Sequence, residues 1–530
     1  MITRILIYIA LISSCMPVYG QQNLSPLPHP EGALHNSLPN GLSYILHPGT
    51  GNKTEFRLLI HAGSVQETEA ERGVAHFLEH LVFNHTQDFP DGKLVDTLRS
   101  LGYRFGRDIN AYTSYDRTVY ELSILDRNLQ SLALNLLKNI LAKVEFRQAD
   151  VEKERQIIIQ EIRDFSPNNP FSEEKLEGSI YSNRIPIASE KDVYKLQLKE
   201  LQHFYKQWYT AEMATLIVTG DFDVNQMESE IRRLYQELPG SGKREKRQNM
   251  DSFQPDFQHK LTQIQTEHLS LNTLERIQFA DTKPLLYTAD FKAQIIEELY
   301  QSYLLSQIAR SSNQVHYSNI WYLPHQVEHS LEWKASSKEE LLSQLSLSAS
   351  MIGTLRDQPI HKAELDLLKE AYLKKIANLN SNISASSLAN HYIDEAAVAY
   401  TYLDPSYRHQ LSKQLMPEIS IDDIQEMHQK IWFDNPQKTK FLFQRQALYT
   451  DSLSRYSLDS AWNAGIQQPL VFIDKQDQST KTDEQQLYTW EMLPEIPFDP
   501  QVSIIQEKYF SELQLTEITL SNGIRVAIKP

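Results

Sequence analysis

The stretch Gly73 to Thr86, GVAHFLEHLVFNHT, holds two histidines four residues apart with a glutamate directly before the second. At about 100° per residue a helix puts His76, Glu79 and His80 on one face, while Val74, Phe77, Leu78 and Leu81 point the other way. Imidazoles at i and i+4 can both reach one metal ion, and a carboxylate beside the ion's open position can take a proton from water bound there. The pattern is that of a zinc hydrolase helix, with His76 and His80 as ligands and Glu79 as general base. An H-x-x-E-H string also arises by chance, so the reading requires a third ligand of the right type.

The stretch Val151 to Phe165, VEKERQIIIQEIRDF, offers one. Glu154 and Glu161 lie seven residues apart and so on nearly one line of a helix, flanked by Ile157, Ile158, Ile162 and Phe165. A carboxylate in an apolar stripe is costly unless paired or metal-bound. Glu161 is the expected third ligand, and Glu154 is expected behind it, hydrogen-bonded to a ligating histidine and fixing its orientation. The competing reading is that both glutamates form ordinary salt bridges with Arg155 or Arg163.

HFLEH followed at a distance by E-R-x-x-I-x-x-E-I resembles the pitrilysin and insulin-degrading-enzyme family of inverted-motif zinc peptidases, particularly its bacterial exported members. LPNGLSYILHP before the motif and LGYRFGRDINAYTSYDRTVYELSI after it resemble the family's first strand and its substrate-binding edge strand. The likeness is good over residues 36 to 236 and weak over the next 240. It implies one zinc ion per chain and a peptide substrate laid in extended form along Asn110, Ala111, Tyr112 and Thr113. It also implies four related domains closing as two halves, the second half supplying an Arg and Tyr pair that no region of this chain matches. One departure is His85, where a small residue is more usual after Asn84; it bears on the loop beyond the helix and on no ligand.

The elements that must position these residues follow from the rest of the chain. Its 530 residues, 41% hydrophobic and 23% charged, fit a soluble protein of three to four domains. A net charge of −16 argues against a nucleic-acid partner, which needs a basic face. Residues 1–20 read as an export signal: Arg4, an apolar run from Ile5 to Ile12 too short to anchor permanently, and a small-residue cleavage site ending at Gly20. The competing reading is a lipoprotein box ending at Cys15, which would attach the chain to a membrane. With simple cleavage the exported, periplasmic or envelope protein has no cysteine, hence no disulfide and no thiol chemistry.

Leu38 to Leu46 after the Pro39-Asn40-Gly41 turn and Phe56 to His61 read as neighbouring strands. Helices over Lys93–Ser100 and Asn128–Lys143 bracket strands within Asp108–Leu125, and Asp192–Glu237 reads as helix, strand, turn and helix. Strands interleaved with helices give an α+β fold of antiparallel-rich sheet layered with helices. Ile421 to Phe443 echoes Leu198 to Val218, so two homologous αβ domains are expected, the second without H-x-x-E-H and with an ordinary amphipathic helix at Glu364 to Leu379. TLSNGIRVAIKP, Thr519 to Pro530, parallels SLPNGLSYILHP, Ser37 to Pro48. The expected organisation is signal 1–20, zinc domain 33–240, linker 241–256, metal-free domain 257–480, linker 481–514 and the start of a third copy at 515–530. With the family resemblance, this corresponds to one half of a clamshell.

The expected function is zinc-dependent endopeptidase, with a half-enzyme or non-catalytic subunit needing a partner as the alternative. Zinc content separates a catalyst from a non-catalytic module, and the downstream reading frame identifies a truncated gene product.

Overall fold

The computed structural model describes residues 25–49, 51–165, 175–176, 180–240, 261–266, 270–281, 283–311, 315–323, 326–379, 383–434, 438–446, 452–470, 504–510, 515–520 and 525–528. The expected export signal with Cys15, and the expected linker at 241–256, lie outside them.

The first sheet is built from β1 (Leu34–Ser37), β2 (Ser43–Pro48), β3 (Thr54–Ile60), β4 (Ile109–Thr113), β5 (Thr118–Ile124) and β6 (Ala214–Gly220), in the order β1-β2-β6-β3-β5-β4. The strand begins at Ser43 and not at Leu38, because Leu38 to Leu42 turn the chain back onto β1. Gly41 takes φ +95° at that turn, and a Cβ there would lie 2.8 Å from that of Glu212. β2 and β3 are not neighbours as local reading expects: β6 enters between them, parallel to β2 and antiparallel to β3. Between the strands lie α1 (Val74–Leu81), α2 (Lys93–Ser100), α3 (Gln130–Ala142), α4 (Gln148–Phe165), α5 (Glu190–Lys195) and α6 (Leu198–Trp208), with α7 (Val224–Tyr235) following β6.

The period of two along the strands sorts the sheet into two buried faces. Tyr44, Leu46, Phe56, Leu58, Ile60, Tyr120, Leu122, Leu216 and Val218 face the core shared with α1, α3, α6 and α7. Ile45, Leu59, Val119 and Ile217 face the opposite way, onto Leu388, Ala389, Tyr392 and Ile393 of a helix from the second domain. That covering helix encloses Glu55 and Arg57, charges that strand alternation alone would place in water. Arg57 donates to Glu55 at 2.9 Å and to Ser386 Oγ at 3.2 Å, and its Nε lies 3.1 Å from Glu121 as an ion pair. Arg57→Met leaves Glu55 buried with only Lys53 and Ser123, so it is expected to destabilise the protein by about 2–3 kcal/mol, somewhat less than a fully unpaired buried charge costs. Chemical denaturation measures this, and the double variant with Glu55→Gln should recover most of the loss.

The second domain comprises β7 (Leu261–Thr266), β8 (Asn272–Asp281), α8 (Thr288–Arg310), β9 (Val315–Leu323), β10 (Gln326–Ala335), α9 (Lys338–Asp357), α10 (Lys362–Ala377), α11 (Ala385–Val398), α12 (Pro405–Leu415), α13 (Ile421–Trp432), β11 (Thr439–Gln446) and α14 (Arg455–Ile466). Its sheet order, β7-β11-β8-β10-β9, repeats β2-β6-β3-β5-β4 strand for strand, including one parallel pair and the late strand inserted beside it. The fold is α+β in two homologous layered domains. α13 and β11 occupy the places of α6 and β6, which is why their sequences echo each other. The helix expected at Glu364 is α10.

The described residues after 470 belong to a separate unit, in which β12 (Ile504–Phe510), β13 (Leu515–Leu520) and β14 (Arg525–Ile528) make an antiparallel sheet; β12 lies within the stretch expected as the linker 481–514. β13 and β14 pair Thr519 with Arg525 and Ile518 with Val526; β1 and β2 pair Ser37 with Ser43 and Asn36 with Tyr44. The aligned sequences therefore fold into hairpins of the same register.

Candidate metal centre

α1 begins where Gly73 takes φ +88° against Ala188, and its first free N–H groups are met by a carboxylate: Glu67 accepts from Gly73 N and from Ala75 N, both at 2.9 Å. Glu67 lies too far upstream for a local capping motif, so the sequence gives no signal for it. Val74, Phe77, Leu78 and Leu81 are in the core as expected, but His76 and Glu79 are buried too. The helix packs against α4, α6 and β4, and His80 is left as its half-open position.

His76 Nε2 and His80 Nε2 lie 3.7 and 3.3 Å from Glu161 Oε2, and the three donor atoms all fall within 4.8 Å of one another. The two imidazoles meet edge to face, at 88° with centroids 4.9 Å apart. A tetrahedral zinc ion with bonds of about 2.0–2.1 Å separates its ligand atoms by about 3.3–3.4 Å. The donor set, two imidazoles and one carboxylate, and its spacing fit zinc with one position left open.

Electrostatics agree with such a cluster. Burial and the neighbouring His80 lower the His76 pKa to about 4, which leaves its lone pair free. Burial opposes protonation of His80 as well, but Glu154 and Glu161 outweigh it and raise His80 to about 9, so a metal has to displace that proton. The His80 contact is the main reason Glu161 stays below the usual carboxylate range.

Glu154 and Glu161 do not pair with the nearby arginines. Arg155 reaches Glu152 at 3.2 Å and the carbonyls of Val193 and Leu196, while Arg163 bonds Glu190 at 2.9 Å. Glu154 Oε2 instead stands 3.6 Å from His80 Nδ1, and its other oxygen accepts from Asn84 Nδ2 at 2.9 Å. Of the flanking residues, Ile158 is buried and Ile162 partly so, but Ile157 is 44% exposed, because α4 shows that side to solvent. Phe165 ends the helix, and its side chain is outside the described set. His85 Nδ1 accepts from Asp91 N at 2.9 Å and Nε2 lies 3.2 Å from Glu145, so this histidine braces the loop and reaches no ligand.

Glu79 Oε2 accepts a hydrogen bond from Thr113 Oγ1 at 2.7 Å. Burial pushes its pKa up to about 7 against that bond and the charge of His80; a cation held by the neighbouring donors would draw it down again. Tyr120 and Tyr209, hydrogen-bonded to each other at 2.7 Å, lie close enough that the charge of Glu79 adds to burial in raising both hydroxyl pKa values. β4 is the last strand of its sheet, with Ala111 and Thr113 on the α1 side and Asn110 and Tyr112 exposed on the other. Ile109 bonds Arg104 O and Gly106 N on the outer edge of β4; beyond Ile109 no other strand pairs with that edge among the described residues. The Thr113 to Glu79 link joins two separate elements, and nothing in the sequence signals it.

Two family models match this chain: "Insulinase (Peptidase family M16)" over residues 46–187 and "Peptidase M16 inactive domain" over residues 195–324. The chain belongs to the M16 insulinase family. The M16 chain is 26% identical over 560 residues to the Escherichia coli (strain K12) protein named probable zinc protease PqqL, covering 99% of this chain and 57% of that one. The Haemophilus influenzae protein of the same name is 27% identical over 532 residues, 95% of this chain and 55% of that one. The chain thus spans about half the length of the curated relatives it matches. Among solved structures, the periplasmic protease PqqL from Escherichia coli superposes with a TM-score of 0.75 at 22% identity, over 95% of this chain and 56% of that one. A structure of the first half of the same protease gives 0.73 at 22% identity, covering 84% of this chain and 99% of that half. These two place the fold with the first half of an M16 clamshell.

Glu154→Ala is expected to weaken zinc binding by about 10–100-fold, because it removes the carboxylate facing the far nitrogen of His80 while leaving all three donors. Competition with a chromophoric chelator reads this; an unchanged affinity would make Glu154 a packing residue only.

Proposed function

We propose that this chain is the metal-bearing first half of an exported zinc endopeptidase. The observation that carries the reading is the convergence of His76, His80 and Glu161 beside a buried Glu79 and an open sheet edge. His76, His80 and Glu161 would hold the ion. When bound, zinc would polarise the scissile carbonyl and bring the pKa of water at its open position to roughly 7.

The chain's own residues do the rest. Glu79 accepts a proton from the attacking water and returns it to the leaving amine. Thr113 holds Oε2, which leaves Oε1 for that transfer. The main chain of Asn110 to Thr113 pairs with the extended peptide as an added strand, giving affinity with little side-chain preference and setting the scissile bond opposite Glu79. The PqqL proteins named above as zinc protease and as periplasmic protease support both the chemistry and the export of this chain. No helix among the described residues is long and apolar enough to cross a membrane.

The relatives' greater length favours a second element of the proposal: full activity needs the remaining half, as a separate polypeptide or a continuation. Without it the cleft stays open to water and lacks facing donors, each of which commonly contributes about 10²–10³ in rate. Residues 21–530 are to be assayed on unstructured peptides with and without a chelator, alone and with a polypeptide corresponding to the second half. The expected result is slow hydrolysis alone, a rise of at least 100-fold with the partner, and loss of both with chelator. Turnover near 1 s⁻¹ or faster by a strictly monomeric preparation, an ordinary enzyme rate, would remove the partner from the proposal. Hydrolysis untouched by chelator would remove the metal.

A further inference from the structure

We propose that His29, His35 and Glu395 form a second site for a transition-metal dication. The site lies on the opposite face of the first sheet from α1, and it fastens the segment before β1 to α11.

The three residues come from distant parts of the chain. His29 precedes β1, His35 is on β1, and Glu395 is on α11, the helix that covers the outer face of the sheet. His29 Nδ1 and His35 Nε2 lie 3.0 and 2.8 Å from the same oxygen, Glu395 Oε1, and all three donors are within 4.8 Å of one another. The other carboxylate oxygen accepts from Tyr402 N at 3.0 Å, which fixes the group with Oε1 turned to the imidazoles.

Plain hydrogen bonding does not account for His35. Both its ring nitrogens are buried and, among the described residues, neither has a hydrogen-bond partner, although Nε2 is only 2.8 Å from the carboxylate. Contact at that distance without hydrogen-bond alignment leaves both nitrogens unsatisfied, and a cation accepting the Nε2 lone pair would satisfy the one that faces the carboxylate. The rings of His29 and His35 are stacked, with centroids 3.7 Å apart, and His29 is half exposed. An ion entering between the two rings would require His29 to turn toward its solvent side, where it is half exposed, and each neutral imidazole can carry its proton on the nitrogen away from the metal. Two imidazoles and one carboxylate suit zinc, nickel or copper and do not suit magnesium or calcium.

The consequence is mechanical. The segment before β1 is otherwise held by main-chain bonds such as Leu27 N to Leu286 O at 2.8 Å and Thr288 N to Ser25 O at 3.0 Å. A metal at Glu395 would add a cross-link between that segment and the helix closing the sheet, making this contact metal-dependent.

The test uses tag-free protein carrying His76→Ala and Glu161→Gln, which empties the centre at α1. Zinc is titrated by calorimetry and followed by thermal unfolding, with magnesium and calcium as controls. One equivalent of zinc should still bind and raise the melting temperature, and magnesium and calcium should do neither. His35→Ala should lower that affinity at least tenfold and abolish the shift. Because His35 is packed, His29→Ala at the exposed ring and Glu395→Gln, which keeps shape, serve as independent variants with the same expected loss. Absence of a zinc equivalent at about 100 µM free metal would overturn the proposal, as would unchanged affinity in His29→Ala and Glu395→Gln.

Discussion

Glu79→Gln is expected to leave zinc bound at His76, His80 and Glu161 and to lower peptide hydrolysis by about 10²–10⁴-fold, the usual contribution of a general acid–base group. Glutamine keeps the shape of the side chain, and its amide can still meet Thr113 Oγ1 across the 2.7 Å contact, so the helix and its donors stay in place. What it lacks is the ability to take a proton at Oε1. The buried surroundings of Glu79 offer no substitute: the Thr113 hydroxyl that donates to it is not a base at neutral pH, and the hydroxyls of Tyr120 and Tyr209 are bonded to each other and have raised pKa values. The measurement pairs zinc analysis with hydrolysis by the fully assembled protein. Retention of more than about a tenth of the wild-type rate would remove Glu79 from its role.

The second large effect is on the metal itself. Glu161→Gln exchanges an anionic donor for a neutral one at the only carboxylate of the cluster, while the two imidazoles on α1 are unchanged. Zinc affinity should fall by orders of magnitude, and hydrolysis at limiting zinc should fall with it and recover partly at high zinc. The signature differs from that of Glu79→Gln, which no amount of zinc rescues. Equal zinc affinity in Glu161→Gln and wild type would mean that the third ligand lies elsewhere.

The sequence made the local parts of this site readable because helical periodicity is a local property. His76, Glu79 and His80 share a turn of α1, and Glu154 and Glu161 share a line of α4; in both cases the spacing determines the geometry. The repeat was readable for a similar reason, since α6–β6 and α13–β11 carry the same pattern of apolar residues. Non-local pairing was not readable. Nothing in Leu42 to Leu46 or Phe56 to Ile60 announces that β6, more than 150 residues later, enters between them. Nor does Glu55-Phe56-Arg57 reveal that α11 buries its charged face, because alternation marks which residues share a face and not what covers it. The same limit hid Glu67 at the start of α1, the Thr113 contact with Glu79 and the exposure of Ile157. Each depends on which distant element arrives beside the residue.

One zinc ion is expected between α1 and α4. Anomalous diffraction at the zinc edge from crystals of zinc-loaded protein tests it most directly. A peak is expected within bonding distance of His76 Nε2, His80 Nε2 and Glu161, present in Glu79→Gln and missing or much reduced in Glu161→Gln. A well-ordered α1 with no peak between these three side chains would contradict it.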